Sequence, residues 1–117
     1  MSYERLRKPR EFHYVYKNGR KWIGNYLLLI FIENNLPYSR IGIVVSKKVG
    51  KAVLRNKIKR RLREIIRLNI DKIPSGYDIA VISKRNAKIA SFWDLKEDLI
   101  EGFRSIEKDE KIASYDN

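Results

Sequence analysis

The apolar positions of the chain follow two periods. Leu54, Ile58, Leu62, Ile65 and Ile66 recur at helical spacing, as the stripe of an amphipathic helix does and the alternation of a strand does not. A helix is predicted over 52–69. At ~100° per residue, Asn56, Arg60, Arg63 and Arg67 gather opposite the stripe. Lys59 flanks them, and Arg55 lands near the apolar edge in the first turn. A shorter stripe, Phe12, Val15 and Tyr16, predicts a helix that opens at Pro9 and stops at Asn18-Gly19. His13 and Tyr14 lie off it, toward water. A third stripe, Phe92, Leu95, Leu99, Phe103 and Ile106, follows Ser91, an N-cap residue with Asp94 placed to imitate a capping box.

The second period is that of strands. Residues 26–32 are apolar on both faces and too few for a surface helix, so they predict a strand covered at least partly on each side. A short strand is expected around Trp22. In 40–46, Ile41, Ile43 and Val45 share one face; Gly42, Val44 and Ser46 share the other, small enough for a groove floor. The turn-forming loop 33–39 is short enough to make an antiparallel hairpin of 26–32 and 40–46. Residues 77–83 predict a further strand, parallel to 40–46 because a long helical crossover separates them. The order is that of an α+β sandwich: one domain, one sheet of about four mainly antiparallel strands. Residues 1–8 and 108–117 are polar and expected to be flexible, with Leu6 as the candidate anchor of the first.

Charge changes the picture. Twenty-six Lys and Arg against 14 Asp and Glu leave +12 over 117 residues, with a pI near 10.0. Such a surplus favours polyanions. There is no cysteine, which excludes a disulfide scaffold, a Cys-ligated zinc site and a thiol nucleophile. The single histidine, His13, belongs to no cluster of metal-ligand spacing, and no residue set fit for phosphodiester cleavage is visible. Asp94, Glu97, Asp98 and Glu101 read as a solvated face with carboxylates near a helix N-terminus. The longest apolar run is too short to cross a bilayer, and no hydrophobic segment backs the basic N-terminus as a secretory signal; the expected compartment is the cytoplasm.

The surplus is concentrated. Lys47, Lys48, Lys51, Arg55, Lys57, Lys59, Arg60, Arg61, Arg63 and Arg67 crowd one segment, and only Glu64 opposes them. A solvated face would interleave Glu with Lys; this one does not. Gly50 stands just before the helix, whose N-terminus favours anions. The segment therefore reads as a polyanion-binding face, with nucleic acid the commonest polyanion.

The run from Val44 to Glu64 closely resembles the signature of the bacterial ribonuclease P protein subunit, a Ser-Lys-Lys-x-Gly-x-Ala-Val segment leading into an Arg-Asn-x-x-Lys-Arg helix. Here these are Ser46, Lys47, Lys48, Gly50, Ala52 and Val53, then Arg55, Asn56, Lys59 and Arg60. The resemblance implies the fold of the second domain of a small-subunit ribosomal protein, with a left-handed βαβ crossover where most proteins have a right-handed one. It implies a protein without catalytic residues, serving a catalytic RNA that removes the 5′ leader of precursor tRNA with Mg²⁺ bound mainly by the RNA. On that basis Lys47, Lys48, Lys51, Arg55, Asn56, Lys59, Arg60, Arg63 and Arg67 are expected to hold RNA phosphates. Phe12 and Tyr16, in a Phe-x-x-Val-x-x-x-Gly segment, are expected at a cleft for the single-stranded leader. Either Ile30 or Phe31 occupies the position where some members of the family carry a strand aromatic. The expected partners are ribonuclease P RNA and precursor tRNA, with no membrane, and a protein monomeric on its own. The alternatives are a ribosomal protein or general RNA chaperone, then a protein-only nuclease, and last a membrane-surface helix.

Overall fold

The computed structural model describes residues 3–115, with side chains through Asp109. The elements are β1 (Glu4–Arg5), α1 (Pro9–Asn18), β2 (Arg20–Ile23), β3 (Leu27–Glu33), β4 (Arg40–Val44), α2 (Ala52–Leu68), β5 (Tyr77–Ser83) and α3 (Phe92–Tyr115). Single 3-10 turns, Ile70–Lys72 and Arg85–Ile89, lead into β5 and α3. Gly76, at φ 83°, makes the left-handed turn ahead of β5.

The α+β class is as expected, and the sheet is larger and more mixed than expected. Five strands run in the order β1-β4-β5-β3-β2. β3 pairs antiparallel with β2 and β5, whereas β4 pairs parallel with β5 and β1. The parallel β4–β5 pair is the one that the α2 crossover required. The predicted β3–β4 hairpin does not form, because β5 lies between those strands. Apart from Ile82, every residue of β5 is buried, so β5 needs neighbours on both edges as well as on both faces.

Alternation along the strands separates two apolar layers. Leu27, Leu29 and Phe31 of β3, with Ile79 and Val81 of β5, meet the stripes of α2 and α3 in the main core. Ile30 and Ala80, with half-buried Leu28, Ile32 and Ile82, meet Val15 and Phe12 of α1 on the other face. This settles which face of β3 looks toward α1. Phe31 belongs to the main core, so Ile30 stands beneath α1.

The ends differ from expectation. The segment leading to α1 was expected to be mobile, yet β1 pairs with Arg40 and Ile41 of β4, and Leu6 is buried under α1. An edge strand of two charged residues lacks the alternation that would announce it. At the other end α3 continues through 108–115 to Tyr115. The parts of the two flexible-end expectations that fall on residues 1–2 and 116–117 lie outside the described residues.

Asp98 is a second correction. It is not solvated: it is 6% exposed, and it accepts the backbone N–H groups of Asn25, Tyr26 and Leu27 at 2.9, 2.9 and 2.8 Å. A buried carboxylate is tolerated when its lone pairs are filled this way, and here it fixes the β2–β3 turn against α3. Replacing Asp98 by Ala strands those donors and is expected to lower stability by about 2–4 kcal/mol. Asp98→Asn, which keeps an acceptor oxygen, is expected to lose less, both read from urea unfolding midpoints.

Candidate nucleic-acid interface

α2 docks through Ile58, Leu62, Ile65 and Ile66, all buried, and presents its other side to solvent. Arg60, Arg63 and Asn56 are exposed, and Lys59 is half-buried. Among the described residues Arg60 and Arg63 have no acidic partner. Arg67 does: its Nη2 and Nε donate to the Glu64 carboxylate at 2.6 and 2.9 Å. The Arg67 guanidinium holds the Glu64 carboxyl below its ordinary range through that hydrogen bond. One acid is thus spent on one arginine, and the rest of the face stays cationic.

The loop into α2 divides the remaining predicted residues. Lys47 and Lys48 are exposed in the turn that ends at buried Val49, and Lys51 is exposed at the N-cap. The first turn carries no acid to compete for an anion at this helix end. Arg55 is less free than its position suggested, because its Nε donates to the Gly50 carbonyl at 3.1 Å. It braces the loop while remaining partly open.

α1 lies on the opposite side of the sheet and brings the aromatic pair. Phe12 and Tyr16 stand 6.0 Å apart between ring centroids, tilted by 49°. Phe12 is half-buried, and its ring rests on Gly42. A Cβ at Gly42 would overlap Phe12 Cζ, so the small residue of β4 is what lets the ring lie on the sheet. Tyr16 is 41% exposed, and partial burial pushes its phenol above the usual range. Arg40 fixes the start of α1: Nη1 donates to Glu11 at 2.7 Å, while Nε and Nη2 donate to Asp78 at 2.8 and 2.7 Å. The Asp78 carboxylate in turn raises the Arg40 pKa.

Sequence reasoning treated the basic helix and the aromatic cleft as two surfaces; the fold makes them adjoin. A groove of about 350 Å³ is lined by Phe12 and Gly42 from one side of the sheet and by Arg63 and Ile66 from the other. Tyr3, Arg5, Leu6 and Arg7 complete its wall. A second groove, of about 330 Å³, is lined by Tyr3, Arg5, Arg60, Arg63, Glu64, Arg67 and Ile70. Tyr3 and Arg5 line both, so β1 is the ridge between Phe12 and the arginines of α2. Tyr3, Arg5 and Arg7 are the residues that sequence reasoning missed. The available signal was the charge of the arm together with Leu6, which implied anchorage. Lys47, Lys48 and Lys51 are not brought into these grooves; they stand at the far end of α2. The arrangement offers guanidinium forks for phosphates beside a ring on which a base can stack.

Residues 1–107 match the ribonuclease P family model. The chain belongs to the ribonuclease P protein family. It is 46% identical over 104 residues to the ribonuclease P protein component of Fusobacterium nucleatum, covering 86% of this chain and 94% of that one. It is 43% identical over 108 residues to the component of Thermotoga maritima, covering 89% and 92%. Among solved structures, the RNase P protein of Thermotoga maritima matches with a TM-score of 0.81 at 40% identity, over 87% of this chain and 96% of that one. The Staphylococcus aureus protein gives 0.79 at 34%, over 92% and 97%. Membership implies a role in tRNA 5′ processing as a component of an endoribonuclease, with ribonuclease P RNA as partner.

Replacing Arg60 and Arg63 together by Ala is expected to weaken RNA binding broadly. It should also lower the slope of log affinity against log salt by roughly 1–2, as measured by titration at several salt concentrations. An unchanged slope would remove this face from the interface.

Proposed function

We propose that this chain is the RNA-holding protein subunit of ribonuclease P. In this reading it binds the catalytic RNA and the 5′ leader of precursor tRNA together, and it promotes hydrolytic removal of the leader. The observation that carries the proposal is the pair of adjoining grooves: Arg60 and Arg63, unpaired among the described residues, on one flank of β1, and the Phe12 ring laid over Gly42 on the other. Cations at β1 and α2 neutralise phosphates of the RNA and of the nearby leader. Phe12 and Tyr16 accept leader bases by stacking, which tolerates any sequence. Asn56 offers a hydrogen bond to a phosphate or sugar hydroxyl. Lys47, Lys48 and Lys51 extend the contact past the N-terminus of α2.

The chemistry in this reading belongs to the RNA. The described residues contain no group of three or more His, Cys, Asp or Glu able to hold a metal ion, so no step is assigned here to a metal on this chain. The Mg²⁺ of the reaction is assigned to the RNA, where it would polarise the scissile phosphate and activate water. No helix among the described residues is long and apolar enough to cross a membrane. The protein is proposed to be a monomer before it meets the RNA and to work in the cytoplasm.

The decisive experiment mixes the purified chain with a bacterial ribonuclease P RNA at low Mg²⁺ and follows release of the leader from precursor tRNA. Cleavage is expected only with both present. Cleavage by the chain alone would make it a nuclease in its own right, and equal affinity for precursor and mature tRNA would favour a general RNA chaperone. Within this scheme, replacing Phe12 and Tyr16 by Ala is expected to reduce affinity for precursor tRNA at least about fivefold and to leave mature tRNA binding nearly unchanged. Equal losses on the two RNAs would return both rings to a purely structural role.

A further inference from the structure

One exposed apolar corner lies outside both grooves. Ile89, at the end of the 3-10 turn before α3, is 75% exposed, and Trp93, in the first turn of α3, is 67% exposed. Of the other strongly exposed aliphatic residues, Ile23 stands on β2, and Val53 and Leu68 stand at opposite ends of α2. Trp93 is held rather than loose. Phe92, packed against the main core, meets the indole edge-on with centroids 5.4 Å apart at 85°. Lys96, from the next turn, puts its Nζ 5.3 Å from the indole centroid.

The surroundings of this corner are cationic. Arg85 and Lys88 are exposed on the preceding turn. From α2, Arg61 reaches across and donates from Nη1 to the Ala90 carbonyl at 3.2 Å, and Lys57 is exposed one turn before it. The nearby acids are Asp94 and Glu97. Asp94 is held in the reciprocal cap with Ser91, at 2.9 and 3.0 Å, and keeps its charge, so two carboxylates face Lys57, Arg61, Arg85, Lys88 and Lys96. Arg61 lies ~100° round α2 from Arg60. The helix therefore has two basic flanks, one bordering the grooves and one bordering Trp93.

An immobilised aromatic face ringed by Lys and Arg suits an unpaired base and its phosphates. It does not suit the core of a protein–protein contact, where lysine is depleted. We propose that the corner at 89–93 is a second RNA contact, in which an unpaired base of the catalytic RNA stacks on the Trp93 indole while Arg61, Lys88 and Lys96 meet the adjoining phosphates. This rests on the reading of the chain as an RNA-holding subunit, and it adds the far flank of α2 to the surface that the RNA covers.

The test uses the full chain and a transcript of a bacterial ribonuclease P RNA. The chain has two tryptophans, so a Trp22→Phe variant leaves the emission of Trp93 alone, and that emission is expected to be quenched as the RNA binds. In the otherwise unaltered chain, Trp93→Ala is expected to weaken binding at least about fivefold, with the salt slope unchanged because no charge is removed. Trp93→Phe is expected to keep most of the affinity. Full affinity in Trp93→Ala, with RNA binding lost in the Arg60/Arg63 double variant, overturns this inference and leaves the proposed function standing. No RNA binding by the unaltered chain overturns both. Self-association in sedimentation that Trp93→Ala abolishes, with RNA affinity untouched, would make the corner a contact between copies and overturn the inference.

Discussion

Ile58, Leu62, Ile65 and Ile66 are at most 1% exposed, and the use the molecule makes of its charge depends on that burial. A helix with so many cations and one acid opposes its own formation: each like-charged pair a turn apart destabilises it by about 0.2–0.5 kcal/mol. Burying an aliphatic side chain against the sheet contributes about 1.5–3 kcal/mol, so a few buried positions outweigh the repulsion of the exposed face. The helix can therefore leave Arg60 and Arg63 without acid partners among the described residues. A helix standing alone would need compensating carboxylates, and those would cancel the field that attracts a polyanion.

The same burial requires a sheet that offers apolar surface on both sides. β3 and β5 provide it, with one set of alternate residues beneath α2 and α3 and the other beneath α1. α1 has a shorter stripe than α2, and polar contacts secure its start. Arg40 joins Glu11 of α1 to Asp78 of β5, and Asn34 donates to Asp78 as well, at 3.0 Å. Ion pairs at exposed sites contribute little, but Asp78 is buried, so this set fixes the angle at which Phe12 meets Gly42. Asp98 does the corresponding work at the β2–β3 turn. Both carboxylates stabilise by position rather than by bulk burial, and Asp78 serves the groove in which Phe12 lies.

The stripes that specify α1, α2 and α3 were legible because burial of one helix face leaves a period that repeats over several turns. Strand identity was legible for β3, β4 and β5 for a similar reason. Pairing was less so. The short loop 33–39 was compatible with a hairpin, yet β5, apolar on both sides, competes for the place between β3 and β4 and takes it. The fate of Asp98 was hidden because a carboxylate off the stripe looks the same whether it meets water or backbone N–H groups from a turn some seventy residues away in the chain.

The sequence by itself determined the cationic face of α2 and its single acid, Glu64, since both follow from residue type and the helical repeat. It also determined the aromatic pair on α1, one turn apart. Only the tertiary structure decided that Phe12 and Arg63 open onto one groove, that Tyr3, Arg5 and Arg7 wall it, and that Arg55 is partly turned back onto its own loop. The physical reason is range: periodicity reports which way a side chain points from its own element. What it meets there is set by the order of strands and by an edge strand of two residues, too short to leave a repeat.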